Sequence, residues 1–293
     1  MPAPATRPGG GSRVRLARSY LGVLPFAAYT TLFLLIPTVI VAIGAFQGEH
    51  GGFSLENIRA MASSDVFTSL GRSLVLSAVS AVVAAVVGAV VAYLLSTAAA
   101  DSVLRKVVVA ASSVLAQFAG VMLAFAFTFT FIAPGLIGRW LQQSFDINVD
   151  PNYFTTLTGL IVVYIYFQVP LMIIVFLPAV DGIRPQWREA TESLGGSTWV
   201  FWRRVAGPLL GPSFLGALLL LFTNAFSAYA TAAALVGLTT PILPLEIRAA
   251  LISETGLGAP NLAKAEALLM VVVVAVVMTG YYLIQRRAAR WLG

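Results

Sequence analysis

Five stretches of this chain run 18 residues or more without an Asp, Glu, Lys or Arg: Leu21–Phe46, Ser73–Ser96, Val107–Ile132, Thr156–Val180 and Ala267–Ile284. An α-helix rises 1.5 Å per residue, so about 20 apolar residues cross the roughly 30 Å of a bilayer's hydrocarbon. Each stretch therefore predicts a membrane span. Only 10% of the 293 residues are charged and 59% are hydrophobic, against about 25% charged in soluble domains. Too few polar side chains remain to cover a soluble fold of this size, which excludes a cytosolic enzyme, a nucleic-acid binder and a disordered chain. The first stretch is too long for a signal-peptide core and reads as retained. Pro25, Pro37, Pro170 and Pro178 read as kinks tolerated within a bundle.

A sixth stretch, Leu209–Leu238, is interrupted by Thr223, Asn224, Ser227, Tyr229 and Thr231 and ends at Gly237. Thirty residues are too few for two spans. It reads as one span followed by irregular or re-entrant chain through Pro241 and Pro244, with a short helix at Leu245–Ile252. Charge supports six spans with both termini cytoplasmic: 13 of 18 basic residues then lie inside, and eight of 12 acids lie outside. Splitting the sixth stretch would move Arg286, Arg287 and Arg290 outside, against that bias. The expected fold is all-α and integral to the membrane, with a flexible basic tail at residues 1–20 and one six-span domain at 21–293. The tail, rich in Pro and Gly, suits the surface of anionic lipid. Ala84, Gly88 and Ala92 form either a ridge for close helix approach or a small-residue face toward lipid.

Catalytic chemistry has little to work with. There is no Cys, the single His50 lies in a predicted loop, and the clear spans hold no carboxylate to activate a Ser or Thr. The reading is a non-catalytic chain with no metal, no organic cofactor and no nucleic-acid partner.

The longest predicted internal loop, Asp181–Pro208, carries the most information. Pro185 suits the first turn of a helix through Leu194, Gly195-Gly196 ends it, and Ser197 caps a second helix from Thr198 to about Val205. Trp187, Trp199, Phe201 and Trp202 place four large aromatics where water is expected, which suggests a lipid boundary or a protein partner.

Within this loop run Glu189-Ala190-Thr191, three residues, Gly195, nine residues, Val205, one residue, and Gly207-Pro208. This resembles the cytoplasmic signature of the permease subunits of binding-protein-dependent type I ABC importers, Glu-Ala-Ala, three residues, Gly, nine residues, Ile, one residue, Leu-Pro. The spacing is complete, while Thr191, Val205 and Gly207 depart from the commonest residues. The resemblance implies a coupling helix between spans four and five, seated in a groove of an ATP-hydrolysing subunit. Glu189 then makes the charged contact and Gly195 the turn. It also implies two ATP-binding subunits, a second permease subunit, identical or merely similar, and an extracytoplasmic solute-binding protein, all at the cytoplasmic (inner) membrane. The chain has no Gly-Lys dipeptide, and so no P-loop of its own.

Polar residues at membrane depth are costly against lipid and so are candidates to line a path. Gln117, Asn224, Ser227, Tyr229 and Thr231 are the leading ones, with Thr128, Thr130 and Gln168 behind them; each is equally open to a helix-packing role. The run Asn224–Gly237 also resembles the polyamine, iron and phosphonate branch of these permeases, from which Phe226-Ser227 and Ala232 depart. An ion-coupled carrier or channel without an ATPase is the alternative reading.

Overall fold

The computed structural model describes residues 23–48, 51–99, 101–132, 135–236, 240–252 and 260–292. The predicted tail at 1–20 and His50 lie outside them. Among the described residues the chain is helical apart from short connections and one isolated bridge between Gln47 and Phe53. Six helical stretches among the described residues are long and apolar enough to cross a membrane.

The first, α1 (Val23–Ala45), is exposed along most of its length and packs near its C-terminal end, where Gly44 meets the side chain of Lys264. A short α2 (Glu56–Ala60) leads to α3 (Ser64–Thr97), whose start is capped by Ser63 accepting from the Val66 N–H. Next come α4 (Val103–Gln117), α5 (Val121–Phe131) and α6 (Leu136–Phe145). The central helix is α7 (Leu157–Asp181), capped by Thr156 and carrying Pro170 and Pro178 inside it. Then follow α8 (Pro185–Ser193), α9 (Thr198–Ser227), α10 (Ala230–Leu235), α11 (Leu243–Leu251) and α12 (Pro260–Leu292).

The bundle is built on α3 and α7, which run parallel. Gln168 meets Ser80 near the middle, and Met172 and Val169 meet Gly88 a little further along. A Cβ on Gly88 would lie 2.5 Å from Met172 Cβ and 3.0 Å from the Val169 carbonyl, so the two backbones approach as only glycine allows. Ala84 and Ala92 are fully buried beside it, which makes the small-residue ridge a helix contact rather than a lipid face. Helix α9 packs antiparallel on this pair, through Leu210, Ala217 and Leu221. Helix α12 runs back along α9, with Tyr281 donating to the Pro212 carbonyl.

The third crossing differs from the single uninterrupted helix expected at Val107–Ile132. It is made by α4 and α5 together, broken at residues 118–120, where Gly120 takes φ +78°. Arg105 at its start pairs with Asp181 at one end of α7, and Phe131 at its finish packs on Phe154 at the other. The apolar stretch at 121–145 shares α5 with this crossing. A second departure concerns α12, which begins at Pro260 rather than Ala267 and so carries Glu266 into the bundle, 3% exposed. The span thus holds a carboxylate, where the apolar run alone predicts none.

Candidate coupling loop and translocation path

Helix α8 ends as the sequence predicts, and its geometry shows why glycine is needed. Gly195 takes φ +75°, its N–H donates to the Glu192 carbonyl at 2.9 Å, and the Gly196 N–H donates to the Thr191 carbonyl at 2.8 Å. These two bonds form a Schellman turn, which satisfies carbonyls the helix would otherwise leave free. No atom lies within 4 Å of a Cβ on Gly195, so backbone conformation alone sets the requirement there; at Gly196 a Cβ would meet Thr191. Ser197 then accepts from the Val200 N–H and starts the next helix.

That next helix, expected to lead into a span beginning at Pro208, is continuous with it from Thr198 to Ser227. Residues Trp202–Ala206 form a π-turn, and the Gly207 N–H reaches the Trp202 carbonyl. Pro208 has no N–H to offer the preceding turn, which suits it to this junction. A Cβ on Gly207 would lie 2.6 Å from the same Trp202 carbonyl. The departure from the family's usual Leu is therefore a steric requirement of the turn.

Glu189, Ala190, Gly195 and Pro208 lie on the exposed loop surface, and Thr191 and Val205 are half-buried. The Thr191 hydroxyl donates to the Trp187 carbonyl, and Arg188 pairs with Glu192 at 3.1 Å. Helix α8 buries none of its residues. Of the four aromatics expected in water, Trp199 stands 70% exposed and Trp187 is partly exposed. Phe201 is buried, and Trp202 packs edge-on against Tyr93, so these two anchor the loop to the bundle.

Toward the other end of the bundle two helix breaks face each other. Between α9 and α10 the chain is interrupted at Ala228-Tyr229, within the polar run the sequence singled out. The break at 118–120 lies beside it, since the Gly120 N–H donates to Thr231 Oγ1 at 2.8 Å. Tyr164, fully buried on α7, donates to the Ala228 carbonyl at 2.7 Å. Backbone groups released by the breaks thus find partners inside the protein, the condition for irregular chain at membrane depth. Gln117, Asn224, Ser227 and Tyr229 are exposed around these breaks, while Thr231 is buried and holds them together. Thr128 and Ser227 donate to carbonyls of their own helices, at Ala124 and Thr223. Gln168 is buried, donates to Ser80 Oγ at 2.8 Å and leaves its Oε1 without a partner. Glu246, on α11, accepts from Ser69, and Glu266 presents an Oε2 with no partner.

A bundle of six crossings, with a helix–Schellman turn–helix loop between the fourth and fifth, has the fold of a type I ABC importer permease. The comparisons agree. A stretch of 99 residues, 34% of this chain and 34% of the relative, is 27% identical to the sulfate transport system permease protein CysT of Escherichia coli K12. Over 185 residues, 57% of this chain and 59% of the relative, it is 25% identical to the probable starch degradation products transport system permease protein AmyD of Thermoanaerobacterium thermosulfurigenes. The match thus spans about a third of one relative and three fifths of the other. A bacterial ABC transporter involved in the import of the acidic polysaccharide alginate superposes with a TM-score of 0.76, at 18% identity, over 94% of this chain and 98% of that one. The alginate transporter solved with a pentasaccharide-bound periplasmic protein gives 0.72, at 18% identity, over 94% and 96%. No family model matches the chain.

Proposed function

We propose that this chain is the permease subunit of an ATP-driven importer in the cytoplasmic membrane, with the α8–α9 loop and both termini in the cytoplasm. The observation that carries the reading is the loop itself. Its motif spacing is intact, its turn is closed by two backbone hydrogen bonds, and its first helix is left uncovered. A helix that buries nothing in its own chain is suited to a groove in another. The partners on this reading are two ATP-binding subunits, a second permease subunit and an extracytoplasmic binding protein that delivers the solute. ATP hydrolysis belongs to the partner. Glu189 and Gly195 are the residues that couple the two, one by its charge and one by its turn.

Gln117, Asn224, Ser227 and Tyr229 line the path on this reading, and Thr231 sets its shape. The solute is a small polar molecule. The narrower resemblance to permeases for polyamines, phosphonates or iron rests on Asn224–Gly237 alone, whereas the named relatives handle sulfate and starch degradation products. A carrier driven by an ion gradient is the second reading, and buried Glu266 is the observation that favours it.

Gentle purification of the tagged chain from its native membrane, beside Glu189→Lys, separates the two. Recovery of a P-loop ATPase with the native chain and its loss from the variant is the expected result. Uptake that survives ATP depletion under a clamped membrane potential, with no ATPase recovered, would transfer the assignment to the ion-driven carrier.

A further inference from the structure

Two adjoining pockets at the loop end of the bundle form a cleft that is apolar in one half and basic in the other. The apolar half, about 460 Å³, lies between α3, α7 and α9 and is lined by Ala89, Val90, Phe176, Leu210, Gly211 and Phe214. The other half, about 370 Å³, is bordered by Ser96, Thr97, Asp181, Arg184, Pro185 and Arg188. Tyr93, Val180 and Trp202 line both, with the Tyr93 and Trp202 rings 5.1 Å apart, edge to face, where the halves meet. The two hollows are therefore neighbours, one at the apolar depth of the spans and one at the boundary where the loop begins.

The charges of the second half favour an anion. Asp181 is neutralised by Arg105, and Arg188 shares Glu192 in an exposed pair. Arg184 forms no ion pair among the described residues. Arg184 is also the N-cap of α8, with no side-chain capping bond and no acid in the first turn, so the positive end of that helix adds to the same site. Ser96 and Thr97 spend their hydroxyl protons on carbonyls of their own helix. Arg184 is thus the cation at this site with no ion-pair acceptor among the described residues, while Arg188 can turn from its exposed pair toward what enters the cleft.

We propose that this cleft binds an anionic glycerophospholipid, with an acyl chain in the apolar half and its phosphate against Arg184, Arg188 and the first turn of α8. An apolar pocket adjoining a basic one at the edge of the spans matches the two chemistries of a lipid, set side by side in the same order. A soluble anion would leave the apolar half empty, and an apolar helix would bury the arginines unpaired. Assigning this lipid to the cytoplasmic leaflet rests on the sidedness proposed above. It sits directly behind the coupling loop, so the composition of that leaflet would bear on how firmly the loop is held.

The test uses the full chain, delipidated in mild detergent and given phosphatidylglycerol or phosphatidylcholine, with retained lipid counted by native mass spectrometry. Phosphatidylglycerol should be retained several-fold in preference, and its retention should fall by about fivefold for each arginine removed in Arg184→Gln and Arg188→Gln. Gly211→Leu fills the apolar half from a position whose Cβ meets nothing within 4 Å. Val169 and Leu177 already precede helix-internal prolines, as residue 211 does. This variant should lose the lipid with both arginines present, while Gly71→Leu, equally open and elsewhere on α3, should retain it. Equal retention of the two lipids, or retention unchanged in both the arginine and the Gly211 variants, would overturn the proposal. Leu194→Cys, at a position 89% exposed, tests sidedness separately. Labelling from the outer side only would overturn the permease reading and the leaflet assignment together, whatever lipid is retained.

Discussion

Three glycines, each for a different reason, carry much of the specificity of the loop and the bundle. Gly195 needs a positive φ and has empty space around it, so Gly195→Ala should cost about 1–2 kcal/mol in local helix termination without a clash. Gly195→Asp adds a charge to the proposed docking face, and with Glu189→Lys it should abolish uptake while leaving normal amounts of chain in the membrane; retained uptake in both variants would remove the coupling assignment. Gly88 is limited by contact instead. Gly88→Val should force α3 from α7 and destabilise the chain by about 1–3 kcal/mol, read as a lower thermal midpoint in detergent. The first of these positions was legible in the sequence, because a glycine after a helix and a serine before the next obey local rules. Gly207 was not, and stood only as a mismatch to a family pattern. Its reason is a hydrogen bond that reaches back five residues to Trp202, which no local rule anticipates.

At the scale of elements, the spans were readable from their length and lack of charge, and one of the two breaks from the polar residues around it. The break at 118–120 was hidden because Phe118-Ala119-Gly120 is apolar and has no proline, and the neighbouring Gln117 was equally open to a path-lining or a helix-packing role. It becomes intelligible only beside α10, where Thr231 accepts from Gly120. Thr231→Val should leave that part-buried N–H unpaired and cost about 1–3 kcal/mol, whereas Thr231→Ser, which keeps the hydroxyl, should cost much less. Comparing thermal unfolding of the two variants checks this, and equal losses would show that the methyl packing matters rather than the bond. Tyr164→Phe removes the donor to Ala228 and should cost about 1 kcal/mol, with a larger effect on uptake than on the amount of folded chain. Glu266 was missed because a helix start was placed at the first uninterrupted apolar run, while α12 begins before it at Pro260.

Across the whole molecule, the parallel α3–α7 pair and the antiparallel α9 fix which ends lie together. The charge count predicted the same grouping without any knowledge of contacts. Arg105 and Asp181, expected on one side from that count alone, meet as an ion pair across α4 and α7. Reversing one charge should weaken folding, and reversing both should restore part of it; no recovery in the double variant would show that the pair is incidental. The continuity of α9 has a mechanical consequence. Its 30 residues make a rod about 45 Å long, anchored at one end beside the Schellman turn and ending at the break beneath Tyr164. Such a rod is a lever arm: a tilt of about 5° at the loop carries its far end by roughly 4 Å, about three quarters of the pitch of a helix. The π-turn at Trp202–Ala206 and Pro212 concentrate compliance close to the fulcrum. Stiffness beyond Pro212 then decides how much of a tilt applied at the loop reaches the break.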